Sequence, residues 1–121
     1  MAGYVISPAA QVDIETILAW THEHFGERAR MRYEALLMRA IQEVSANPVL
    51  TGSHSRPEIA VDARTYDLFH SRNHVPAALG RVKQPKHFLL YRVRGEGQVE
   101  IGRVLHESMD LARHLPDDYR A

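Results

Sequence analysis

Cysteine is absent from the 121 residues. That excludes a thiolate nucleophile, a cysteine zinc site and any disulfide, and it fits a reducing compartment such as the cytoplasm. A chain of this length needs no such staple, because it buries roughly two-thirds of its unfolded surface as one domain; one domain over 1–121 is the expectation. No run reaches the roughly 18 apolar residues of a membrane span. Met1 to Ser7 lacks a basic region followed by a long apolar core, so a secretory leader is not expected. There is no Gly-rich phosphate loop, no Gly-x-Ser-x-Gly turn, no internal repeat and no low-complexity tract. Lysine is nearly missing as well, with Lys83 and Lys86 alone among 15 basic residues. The cationic chemistry of this chain is therefore arginine chemistry, suited to bidentate contacts with phosphate or carboxylate.

The net charge is zero, but it is unevenly placed. Between Arg64 and Arg94 stand seven bases (Arg64, Arg72, Arg81, Lys83, Lys86, Arg92 and Arg94) against the single acid Asp67, a local charge of +6. Such a stretch is either a solvated loop surface or a footprint for nucleic acid or an acidic partner.

The most informative stretch is Lys86 to Asp110. Phe88 to Val93 is an almost continuous apolar strand, which must be covered on both faces. Gly95 and Gly97 are expected to supply the positive φ angles of a tight turn. Val99 to His106 follows as the second strand, with Val99, Ile101, Arg103 and Leu105 expected on one face and Glu100, Gly102, Val104 and His106 on the other. Arg92, Arg103 and His106 stand on strands that are otherwise core. Either the arginines lay their stems along apolar neighbours near the sheet rim, or they form a cationic surface.

Around this hairpin the order is legible. Tyr4–Ile6 reads as a short strand, and Ser7-Pro8 as the N-cap and first position of a helix. Ala10, Ile14, Ile17, Leu18 and Thr21 form its apolar stripe, Asp13 and Glu15 suit its positive end, and Gly26 stops it. A second helix runs from about Glu27 to Ser45, with Ala29, Tyr33, Leu36, Leu37, Ala40, Ile41 and Val44 on its inner face. One glycine between them implies a helical hairpin. Pro48 to Ala63 reads as loop and Arg64 to Ser71 as a strand. Arg72 to Pro85 is irregular and long for a connection, with a helical turn near Val75 to Leu79. Glu107 to Leu115 is expected to be a short helix or turn, and Asp117 to Ala121 frayed. Trp20 is expected to be partly buried, and Met31 and Met38 to serve packing. His22-Glu23-His24 reads as surface, since residues two apart on a helix diverge by about 200°. No metal or cofactor is expected.

The element order and several motifs resemble the RelE/ParE superfamily of toxins. The residues that carry the resemblance are Tyr4-x-Ile6-Ser7-Pro8-x-Ala10, Asp13-Ile14, Tyr33 and Leu37 on the second helix, Arg64-x-Tyr66, and Arg103-Val104-Leu105-His106 with Asp110 beyond. The last of these is closest to the ParE branch. The 72–85 segment departs from the pattern, since many relatives turn there directly into the next strand. The resemblance implies an α+β fold: an N-terminal strand, an α-helical hairpin on a small, mainly antiparallel twisted sheet, and a short C-terminal helix. It implies the toxin of a bacterial type II toxin–antitoxin pair, neutralised by a cognate antitoxin whose C-terminal segment wraps it in a hetero-oligomer. A ParE-like toxin inhibits DNA gyrase by binding, with no catalytic residue of its own. The alternative is a RelE-like, ribosome-dependent mRNA endonuclease, in which Arg64, Arg92 and Arg103 would clamp phosphate and His106 would move the proton, helped by Glu107 or Tyr91. In either case Arg64, Arg92, Arg103 and His106 are the expected contact residues for target or partner. Outside the family, a non-toxic protein-binding module has the same core.

Overall fold

Ser7 turns the chain from strand to helix. In the computed structural model, which describes residues 3–120, its Oγ accepts the N–H of Ala10 at 3.0 Å and donates to the carbonyl of Gly102 at 2.8 Å. One residue thus caps the first helix and ties it to the sheet. The elements are β1 (Tyr4–Ile6), α1 (Pro8–Phe25), α2 (Glu27–Ala46), β2 (Ser53–Ser55), β3 (Ala63–Asp67), β4 (His87–Val93) and β5 (Val99–His106). Gly26, at φ 92°, joins α1 to α2, a conformation that disfavours any residue with a Cβ. Among the described residues the strands form one five-stranded sheet in the order β1-β5-β4-β3-β2. Only β1 is parallel to its neighbour. This is the α+β arrangement expected from the sequence.

Four local expectations are corrected. The 48–63 stretch is not all loop, because Ser53–Ser55 pairs with β3 as an edge strand. β3 ends at Asp67, where the carboxylate accepts the Phe69 N–H at 2.9 Å and starts a 3-10 turn over Leu68–Ser71; a short polar side chain that satisfies local backbone competes with the ladder. In the β4–β5 turn the positive φ angles fall on Glu96 (66°) and Gly97 (77°), not on Gly95. Beyond β5 the chain makes 3-10 turns at Leu111–Arg113 and Asp117–Arg120. Of the two forms expected up to Leu115, helix or turn, the chain takes the turn, and Tyr119, 4% exposed, docks residues 117–120 instead of leaving them frayed; Ala121 lies outside the described residues.

The strict alternation expected of β5 also fails. Leu90 faces Arg103 while Tyr91 faces Ile101, so Gly102 is an extra, bulged residue. Val99, Ile101, Val104 and His106 consequently share the helix-covered face, and Glu100, Arg103 and Leu105 the other. Gly102 is required by close approach, since a Cβ there would stand 2.7 Å from the Tyr119 hydroxyl oxygen.

Beneath the helices, Leu36, Leu37, Ala40, Ile41 and Val44 meet Tyr66, Leu89, Tyr91, Val99 and Ile101 in the main core. Each fully buried aliphatic side chain contributes about 1.5–3 kcal/mol. On the opposite, open face, Ala63, Leu90 and Tyr119 form a small second cluster. Met38 packs on the main core as expected. Trp20 and Met31 do not, at 53% and 40% exposed. The Trp20 ring stacks on His24 at 4.2 Å, on the outside of α1.

Candidate functional site

β1 ends at Ile6, too early to pair with the second half of β5. Asp13 on α1 fills the gap. One carboxylate oxygen accepts the Val104 N–H at 2.9 Å and the Arg103 Nε at 2.7 Å; the other accepts Arg103 Nη2 at 2.8 Å. Arg103 Nη1 also donates to the His114 carbonyl at 2.9 Å. The guanidinium is thus held on two sides, and Asp13 raises its already high pKa. Asp13 suited the positive end of α1 by sequence, yet it lies beyond the first turn and serves the sheet edge instead.

Arg92 is on the same face and is likewise engaged. It bonds Glu100 at 3.4 Å and Asp118 at 2.5 Å, and its guanidinium carbon stands 4.4 Å above the Tyr119 ring. Arg94 completes the cluster with Glu100 at 3.1 Å. Arg64 lies opposite Tyr91 on the helix-covered face, where it donates to Ser53 Oγ at 2.7 Å. β3, β4 and β5 are neighbours, but the three arginines do not converge on one point: Arg64 is on one face, and Arg92 and Arg103 are on the other. Glu107 pairs with Lys86 at 3.5 Å, and the Tyr91 hydroxyl donates to the Pro48 carbonyl at 2.6 Å.

His106 has a neighbour on β4 that the sequence did not single out. It stands opposite His87, with the rings edge to face at 5.3 Å. Tyr33 Oη accepts the Lys86 N–H at 3.4 Å and shares a 2.6 Å hydrogen bond with His87 Nδ1. Burial, and then the adjacent His106, bring His87 down to about 4. Burial also pushes Tyr33 up to about 12. The Ser108 N–H donates to His106 Nδ1 at 3.1 Å, and Ser108 Oγ lies 2.7 Å from the same nitrogen. The signal for this pair was available: His87 lies nine residues before Glu96 and His106 ten after, and the difference is the bulge.

Two open hollows flank the sheet. On the open face, His54, Arg56, Asp67, Phe88, Glu107 and Met109 border a cleft of about 420 Å³. On the far side of α2, a groove of about 530 Å³ runs between the helix and the 72–85 segment. The +6 stretch divides in space. Lys86, Arg92 and Arg94 are paired with acids. Arg64, Arg72, Arg81 and Lys83 have no ion pair among the described residues, and three of these four belong to the 72–85 segment.

A strand, a helical hairpin and a mainly antiparallel sheet ending in an Arg-Val-Leu-His strand define a RelE/ParE-like toxin fold. Residues 4–111 match the family described as the ParE toxin of type II toxin-antitoxin system, parDE. Relatives named Toxin ParE1 from two strains of Mycobacterium tuberculosis, CDC 1551 / Oshkosh and ATCC 25618 / H37Rv, are each 32% identical over 112 residues, covering 93% of this chain and 96% of theirs. The chain belongs to the ParE toxin family and is the toxin component of a type II toxin–antitoxin system, a family that implies a cognate antitoxin partner. No helix among the described residues is long and apolar enough to cross a membrane.

Proposed function

We propose that this toxin acts by binding and inhibiting DNA gyrase in the cytoplasm, without catalysis of its own, and that a cognate antitoxin neutralises it. Membership of the ParE family supports this reading. The observation that carries it is the engagement of Arg92 and Arg103, each held by carboxylates of its own chain. Phosphoryl chemistry relies on cations free to meet developing charge, and these two are spent on the fold. In this reading they shape the contact surface, while Arg64 and His106 meet target or partner directly.

A second reading, a ribosome-dependent mRNA endonuclease, is favoured by one observation, the contact between His87 and His106. Two histidines of unlike environment suit an acid–base pair. The deciding experiment is a paired assay on antitoxin-free protein. One arm follows supercoiling and cleaved-DNA accumulation by gyrase, and the other follows messenger RNA on translating ribosomes. Gyrase inhibition with intact RNA is expected. RNA cleavage abolished by His106→Ala, with gyrase unaffected, would overturn the binding mechanism.

A further inference from the structure

The 72–85 segment is fastened to α2 at two places. At one end Glu43 accepts Ser71 Oγ at 2.5 Å and contacts His74 Nδ1 at 2.9 Å. Burial opposes ionisation of this carboxyl, but the bonds from His74 and Ser71 outweigh it and hold its pKa below the usual value. At the other end Arg32 Nε donates to the Leu79 carbonyl at 2.9 Å. Arg32 and Glu43 lie eleven residues apart, about 16 Å along the helix axis. Between the two fastenings the segment stands away from α2 and leaves the groove.

Its floor is apolar, with Ala35 and Met38 from the helix and Val75 and Pro76 from the segment. Its rim is cationic, with Arg39 and Arg81 on opposite sides. The one carboxylate at hand, Glu43, is occupied by Ser71 and His74, with Arg39 at 3.7 Å. Ala35, Met38, Arg39 and Gln42 fall on one stripe of α2, at the spacing that receives a chain laid along the helix. An apolar floor between Arg81, which has no ion pair among the described residues, and Arg39, whose one carboxylate at 3.7 Å is shared with Ser71 and His74, fits neither solvent alone nor another basic surface.

We propose that this groove receives an acidic, amphipathic segment of the antitoxin, apolar side chains against Met38 and Val75 and carboxylates toward Arg39 and Arg81. The proposal rests on the toxin–antitoxin reading above. It adds a docking site to that reading, built by the segment in which this chain departs from the general pattern of its superfamily. The groove length accommodates about three helical turns or five extended residues.

The test uses the full chain and its cognate antitoxin, titrated calorimetrically at two salt concentrations. The Arg39→Glu/Arg81→Glu double variant is expected to weaken binding by about 10–100-fold, with a shallower salt dependence. Arg28→Glu, the same charge change on an exposed turn of α2 outside the groove, is expected to bind as the wild type does. Hydrogen exchange on the unaltered complex supplies an independent readout, with slowed amides expected over 73–82. Equal affinity of the double variant and the wild type, with no protection over 73–82, would overturn the groove while leaving the toxin–antitoxin reading intact. No binding by the wild type would overturn both. Loss of single-stranded DNA binding on charge reversal, with antitoxin affinity unchanged, would assign the groove to nucleic acid and overturn the proposal.

Discussion

The two faces of the sheet are held by different physics. Beneath α1 and α2 the contacts are apolar and continuous, with Leu36, Leu37, Ile41, Leu89 and Ile101 at 1% exposure or less. On the open face the apolar cluster is small, Ala63 and Leu90 covered by Tyr119, Leu111 and Leu115 from the C-terminal segment, and the cover is fastened by Arg92 to Glu100 and Asp118 and by Arg103 to Asp13 and the His114 carbonyl. Apolar burial is non-directional and tolerates changes of shape. A network of charges at a sheet face is directional, and losing one member strands the others. The helix-covered face therefore keeps the fold, while the open face keeps an arrangement of charge.

Breaking the charged side at its anchor has the largest expected effect. Asp13→Ala removes both bonds to Arg103 and the acceptor for Val104 N–H, and about 2–4 kcal/mol of stability should be lost. Urea denaturation measures it; a loss below that of Leu111→Ala, a truncation of the apolar cover, would show that the open face is held by contact area after all.

Acid probes the rim of the helix-covered face. His87 has a folded pKa of about 4, set by burial and then by His106, with Asp13 and Glu107 acting in the opposite sense; the unfolded value is near 6.5. The unfolded chain binds this proton more readily, so the contribution is constant above pH 6.5 and is lost as pH falls toward 4. The loss is on the order of 2–3 kcal/mol. Thermal melts from pH 7 to pH 4 should show this slope in the wild type and a flatter one in His87→Asn; parallel profiles would refute the assignment.

The smallest effect sharpens the contrast from the other side. The Tyr119 hydroxyl is buried, and it has no hydrogen-bond partner among the described residues. Tyr119→Phe should be neutral or stabilising by up to about 1 kcal/mol while retaining the cation–π contact with Arg92. A clear destabilisation, read from the denaturation midpoint, would mean that the hydroxyl is satisfied in solution.

Much of this was legible in the chain. Ser7, Pro8 and Gly26 mark both ends of α1, and most of each expected stripe is buried, with Ile17, Leu18 and Ala29 half-buried. The ParE-like ending from Arg103 to His106 falls on β5, as expected. The candidate site was less legible. Arg64, Arg92 and Arg103 occupy neighbouring strands, as their places in the chain suggested. Their faces and partners depend on a bulge and on acids far away in sequence: Asp13 is ninety residues from Arg103. His87 and Tyr33, 54 residues apart, meet only because α2 lies over the start of β4.

The sequence by itself determined the elements, their order, the inner faces of the helices and the family, because caps, periodicity and apolar runs act over a few residues. Only the tertiary structure decided which arginines are free. Ion pairs form between residues brought together by the sheet and its crossovers, and one bulged glycine is enough to exchange the faces of every residue beyond it.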